Sequence, residues 1–157
     1  MDILNLIFNG ANLFVLPFWA LMTLVPRWGV SRRVMSSYIP FVALALTYLY
    51  CFINSLDPGT AEAFSDPNLG LADLAALFAN EKVTAAGWVH FLVMDLFVGR
   101  WIYLRGLDLN VFTRHSLVLC LFAGPLGLLS HMVTETISQR FFQREGQESA
   151  SPQEEAA

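Results

Sequence analysis

Residues 88–102 read WVHFLVMDLFVGRWI. The segment is apolar enough to cross a bilayer, yet it holds His90, Asp95 and Arg100. Ionisable groups inside a spanning helix are costly unless they find partners, so they mark functional sites by default. Successive helical residues advance by about 100°, so these three point roughly 140° apart in turn. They cannot share a face. Either neighbouring helices surround the segment, or Arg100 escapes to an interface by snorkelling. Asp95 lies near the middle and has no such route. Residues five apart do not face each other, so its partner must come from another helix, with Asn12 or His131 as candidates.

The rest of the chain is of the same kind. Of 157 residues, 55% are hydrophobic and 14% charged, with a mean hydropathy of +0.52. Ordinary soluble domains are less apolar. Ile3 to Pro26, Val34 to Leu56 and Ser116 to Thr134 carry no charged residue. A span needs about 20 apolar residues. Together with the segment above, these runs predict an all-α integral membrane protein with four transmembrane helices in a bundle. The expected spans are about 3–25, 36–56, 84–104 and 116–135, within a membrane domain of residues 1–137. Four buried helices of a soluble protein are disfavoured, because such uncharged runs are rare outside membranes. The start is not read as a signal peptide: it has Asp2, no Lys or Arg, and too long an apolar stretch. No Arg- and Ser-rich leader is seen, so a bacterial inner or photosynthetic membrane is expected. Cys51 and Cys120 fall at depths differing by roughly 13 Å on this plan, too far for a disulfide.

Charge suggests orientation. Arg27, Arg32 and Arg33 in the first loop share a side with Arg105 and Arg114 in the third, and the positive-inside rule makes that side cytoplasmic. Both termini and the acidic loop 57–83 are then expected on the non-cytoplasmic side. Arg140 and Arg144 run against this arrangement. Within the loop, Leu69, Leu74, Leu77 and Phe78 follow Asp66-Pro67 at near-helical spacing. A short amphipathic helix in the interface is expected there, as a lid or as simple cover. Residues 138–157 are polar and acidic, and are expected to be disordered.

Depth then sorts the polar residues. Asn5, Asn9 and Asn12 form one stripe on the first span. His131 and Glu135 share a face of the fourth. On a four-span plan, Asn9, His90, His131 and Glu135 make an outer layer. Asn12 and Asp95 make a middle layer, and Arg100, Arg114 and His115 an inner one. The functional reading is a polar pocket with His90, Asp95 and His131 as catalytic groups and Asn9, Asn12, Trp88 and Glu135 contacting substrate. The plainer reading is interhelical glue, each such bond contributing about 0.6 and up to about 2 kcal/mol. Glue is favoured for the asparagines and a site for the His90, Asp95 and His131 set. Those residues with Glu135 could ligate zinc or iron, but one His-Glu pair at i,i+4 is a weak motif. No metal and no cofactor are expected. Arg100, Arg114 and His115 are topology charges or hold an anionic ligand or lipid headgroup. Trp88 and Trp101 bracket the third span like interface belts. No phosphate loop, Ser-His-Asp order or CxxC is present, and a net charge of −4 speaks against nucleic acid.

Longer strings carry a resemblance. GWVHFLVMDLFVGRWIYLRGL (87–107), TRHSLVLCLFAGPLGLLSH (113–131) and NLFVLPFW (12–19) resemble the abscisic-acid-deficient-four family. These are small four-span membrane proteins associated with neoxanthin synthesis in chloroplasts, with bacterial relatives. The likeness covers most of residues 5–137 and includes Trp88, His90, Asp95, Arg100, Gly106, Arg114, His115, Ser116, Cys120, Pro125, Gly127 and His131. Without a plastid leader, a bacterial relative is implied. The resemblance implies a carotenoid reaction. An epoxide is opened and a proton lost to give an allene, with an acid at the epoxide oxygen and a base at the adjacent carbon. His90 or His131 would be one partner and Asp95 the other. The alternative is a non-catalytic protein that binds carotenoid or lipid, or a complex subunit. The implied partners are membrane lipid and a carotenoid-like polyene, on which Trp88 and Trp101 could stack. Four short spans barely enclose such a ligand, which makes a homodimer with the ligand at its seam one arrangement.

Overall fold

The computed structural model describes the backbone of residues 3–150 and side chains as far as residue 140. Every regular element among them is helical. In order these are α1 (Ile3–Leu24), α2 (Gly29–Ser36), α3 (Ile39–Ser55), α4 (Pro58–Ser65), α5 (Leu71–Leu77), α6 (Glu81–Asp108), α7 (Arg114–Phe122) and α8 (Gly124–Ala150). Among the described residues, α1 and α6 are long and apolar enough to cross a membrane. The α2–α3 pair, bent by 42°, makes a third if read as one broken span. Leu13, Ile39, Phe91 and Leu129 lie exposed on the outer surface. An apolar surface of this extent is untenable in water and fits a bilayer.

α6 is the hub. It packs against α1, α2, α3, α7 and α8, so the first of the two alternatives, a surrounded helix, is the one realised. Ala85, Val89, Leu96, Gly99, Tyr103 and Gly106 recur at helical spacing and are buried. Small members of that stripe let neighbours close in: a Cβ on Gly99 would fall 2.5 Å from the Trp19 ring. α1 runs parallel to α6, since Asn12 meets Trp88 and the Tyr103 hydroxyl donates to the Pro26 carbonyl at 2.6 Å. α3 runs antiparallel, with Phe41 against Phe97 and Tyr48 against His90. At the α2–α3 bend Ser37 is extended, and Pro40, which has no N–H to give, sits in the first turn of α3.

The segment expected to span once, 116–135, does not. Ala123 is extended (φ −158°, ψ 93°) and ends α7 after nine residues. Gly124 and Pro125 then start α8, which folds back against α7. Ser116 and Ser130 hydroxyls lie 3.0 Å apart, and His115 reaches Thr134 at 2.9 Å. In a continuous helix residues 116 and 130 would be roughly 21 Å apart. The chain enters beside α6 and turns level with Asp95, where the Cys120 thiol donates to the Asp95 carbonyl at 3.5 Å. It leaves where it entered, with Glu135 beside Arg105. Thus α1 begins at the Glu81 end of α6, whereas α8 departs at the Asp108 end. The expectation that both ends of the chain share a side does not hold for the described residues.

The loop 57–83 carries more helix than expected. Asp57 caps α4 by accepting from the Thr60 amide at 2.8 Å, and this bond holds its carboxyl below the usual range. The expected amphipathic helix is α5, which starts at Leu71, later than Asp66-Pro67 suggested. Phe78, just past α5, packs over Gly87 of α6. In the expected disordered tail, α8 continues as helix to Ala150, because no proline interrupts Ser138 to Ala150. The rest, 151–157, lies outside the described residues.

Two measurements check the hairpin. Ser116→Cys/Ser130→Cys, with Cys51 and Cys120 replaced by alanine, should crosslink efficiently under mild oxidation, and a single straight span would give no crosslink. A Cβ at Gly127 would fall 2.5 Å from the Cys120 backbone, whereas one at Gly10 meets nothing within 4 Å. Gly127→Ala should therefore cost about 1–3 kcal/mol as overpacking, read from the unfolding midpoint in detergent. Gly10→Ala should leave that midpoint unchanged or raise it.

Candidate functional site

The hairpin redistributes the polar residues among separate places along α6. Asp95 stands at the level of the tip. It is half-buried, and a Cβ on Gly124, the first residue of α8, would fall 2.0 Å from its Oδ1. The carboxyl therefore lies against the start of α8, where the helix dipole is positive. Among the described residues its side chain has no hydrogen-bond or ion-pair partner. Neither expected partner reaches it. The Asn12 carbonyl instead accepts from the Trp88 indole at 3.0 Å, while its amide donates to the Phe8 carbonyl.

His90 is exposed on the outer face of α6, with its ring 5.5 Å from that of Tyr48. His131 is fully buried, edge-on to Trp101 at 5.3 Å. Trp101 lies eleven residues from His90 along α6, roughly 16 Å. The two histidines expected to face each other are therefore at different depths, and neither is grouped with Asp95. The reason is the fold-back at Ala123, which carries His131 toward the Asp108 end. Both ring nitrogens of His131 lack a hydrogen bond, although Nε2 lies 3.5 Å from Glu135. That separation is an electrostatic contact rather than a bond.

Glu135 is engaged elsewhere. Arg105 holds it with its guanidinium, Nη2 to Oε1 at 2.7 Å and Nε at 3.2 Å, and Gln139 donates to Oε1 at 3.0 Å. This pair was not foreseen, because a four-span plan puts the two residues on opposite sides. Asn9 donates to the Asn5 carbonyl within α1. Only Asn12 of the asparagine stripe bridges helices, in keeping with a packing role. The expected anion-binding trio also divides. Arg100 donates from Nε to the Met35 carbonyl at 2.5 Å and lies 4.8 Å over the Tyr38 ring. It thereby satisfies a free carbonyl at the end of α2. His115 bonds Thr134 and stacks on Phe112. Arg114 lines a cavity of about 870 Å³ with Arg27 and Trp28, at the Asp108 end. Among the described residues no group of three or more His, Cys, Asp or Glu is placed to hold a metal ion.

The sequence held signals for what was missed. Ala123-Gly124-Pro125 is a break signature inside an apolar run. Arg140 and Arg144, which run against a non-cytoplasmic C-terminus, are a second signal of the fold-back.

The fold and site thus define a class: an all-helical protein with apolar helices that fit a membrane, and a helical hairpin turning against an unpaired mid-helix carboxyl. The chain belongs to the ABA DEFICIENT 4-like family, whose profile matches residues 6–131. It is 36% identical over 139 residues to Protein ABA DEFICIENT 4, chloroplastic, of Arabidopsis thaliana, a match that takes in 87% of this chain. The match spans 63% of that relative's own length. No solved structure matches.

A half-buried carboxyl without a bonded partner among the described residues does not stabilise this part of α6. Asp95→Asn should raise the unfolding midpoint in detergent, a gain on the order of 1 kcal/mol, since a central carboxyl is unfavourable in a span.

Proposed function

We propose that the chain is an integral membrane protein of carotenoid (xanthophyll) metabolism that isomerises an epoxy-carotenoid at Asp95. Family membership supports the pathway. The observation that carries the site is a half-buried carboxyl, midway along α6, with no bonded partner among the described residues. Epoxide opening to an allene needs a proton delivered to the epoxide oxygen and another removed from a carbon two bonds away. With both histidines out of reach, one carboxyl group can serve both needs. Its O–H protonates the oxygen while its other oxygen accepts the proton lost from carbon. The C–O bond breaks, the allene forms, and the carboxyl group ends as it began. No redox change occurs.

The basic end of the molecule gathers Arg27, Arg32, Arg33, Arg105 and Arg114, and α8 leaves there carrying Arg140. The positive-inside rule puts this end in the cytoplasm. Trp88, seven residues before Asp95 and therefore on the same face of α6, is partly exposed and offers a polyene a surface to stack on along the way to the carboxyl.

A non-catalytic, carotenoid-binding role is the second reading, and the separation of the two histidines from Asp95 favours it. Pigment profiling of a deletion strain separates the two. Loss of one xanthophyll with build-up of its precursor, restored by the wild-type gene but not by Asp95→Asn, supports catalysis. Full restoration by Asp95→Asn supports binding, and an unchanged profile in the deletion strain ends both.

A further inference from the structure

The cavity of about 870 Å³ at the Asp108 end is distant from Asp95 and unused by the reaction above. It lies between the α1–α2 turn and the α6–α7 loop, with Arg27, Trp28, Tyr103, Phe112 and Arg114 among its walls. Three arginines toward this end have protein partners: Arg32 pairs with Asp108, Arg100 with the Met35 carbonyl, and Arg105 with Glu135, whereas Arg33, which has none among the described residues, does not line the cavity. Arg27 and Arg114 have no ion-pair or hydrogen-bond partner among the described residues, and both line this cavity. Two free guanidinium groups at one concavity are a receptor for an oxyanion, most readily a phosphate.

The remaining walls say what the phosphate is attached to. Leu24 is 72% exposed, Phe112 66% and Trp28 55%. A site for free phosphate has no use for such apolar surface beside the charges. A lipid has, because its chains must continue along protein in the hydrocarbon. The cavity also sits where α1 and α6 end, at the depth where headgroups meet acyl chains. Trp28 is the side chain that favours that depth. We infer that this cavity binds one phosphate-headed anionic lipid, with Arg27 and Arg114 on the headgroup and Leu24 and Phe112 along its chains.

The test measures association of spin-labelled phosphatidylglycerol against spin-labelled phosphatidylcholine, using the full chain in vesicles of phosphatidylcholine. Wild type should prefer the anionic lipid. Each of Arg27→Gln and Arg114→Gln should lower that preference about fivefold, at the usual contribution of one basic residue near a membrane surface. Arg114→Lys should retain most of it, and Arg33→Gln, outside the cavity, should change nothing. Unaltered unfolding midpoints separate loss of binding from loss of fold, and Phe112→Asp should weaken binding with both arginines intact. Equal losses in Arg33→Gln would mean diffuse surface attraction and overturn the proposal. Full displacement by millimolar inorganic phosphate would identify a free-anion site and also overturn it. Neither result bears on Asp95, whose role is read from the pigment profile.

Discussion

A chain that reverses direction inside an apolar layer must leave no backbone polar group stranded. Non-helical backbone at that depth is tolerated only where protein covers it. The turn at Ala123 meets this demand locally. The Ala123 amide bonds the Leu119 carbonyl at 2.8 Å, and its own carbonyl accepts from Leu126 and Gly127 at 3.0 and 3.1 Å. Pro125 has no amide hydrogen to place. Gly124 is the residue of that first turn against which the Asp95 carboxyl rests. The fold and the candidate site therefore meet at one spot on α6. A side chain at position 124 would displace the carboxyl, and a longer α7 would carry the tip past it.

The hairpin also explains which polar groups are spoken for. Its two arms approach so closely that backbone touches the position where a Gly127 side chain would be. That approach brings Ser116 to Ser130 and His115 to Thr134, pairs that satisfy each other. At its open end Arg105 and Glu135 close the arms against α6. After these pairs form, the His131 ring nitrogens have no hydrogen bond, and among the described residues the side chain of Asp95 has none either. They differ in access. His131 is fully enclosed beside Trp101, while Asp95 is half-buried at the tip.

The sequence made α1, α3 and α6 legible because each is a long uncharged or nearly uncharged run, and length alone identifies such helices. It made Asp95 legible because a carboxyl in such a run is costly wherever it points. It misled over residues 116–135, where composition cannot distinguish one crossing from two half-crossings. The consequences were confined to what depends on direction. Glu135 and His131 lie at the Asp108 end rather than in an outer layer, and the Arg105–Glu135 pair follows from the fold-back. Asn12, one of the expected partners of Asp95, bridges instead to Trp88.

One change of direction thus reorders the electrostatics of the whole molecule. With the last helix folded back, the arginines of both short loops and of the final helix gather at one end, and the acidic segment between α3 and α6 stays at the other. The conflict between Arg140 and the positive-inside rule disappears with no charge moved. The same step carries His131 and Glu135 toward the Asp108 end and leaves Asp95 at the tip, with the buried Cys120 thiol beside it. The folded-back hairpin thus sets the Asp95 carboxyl against the first turn of α8, where the helix dipole favours negative charge.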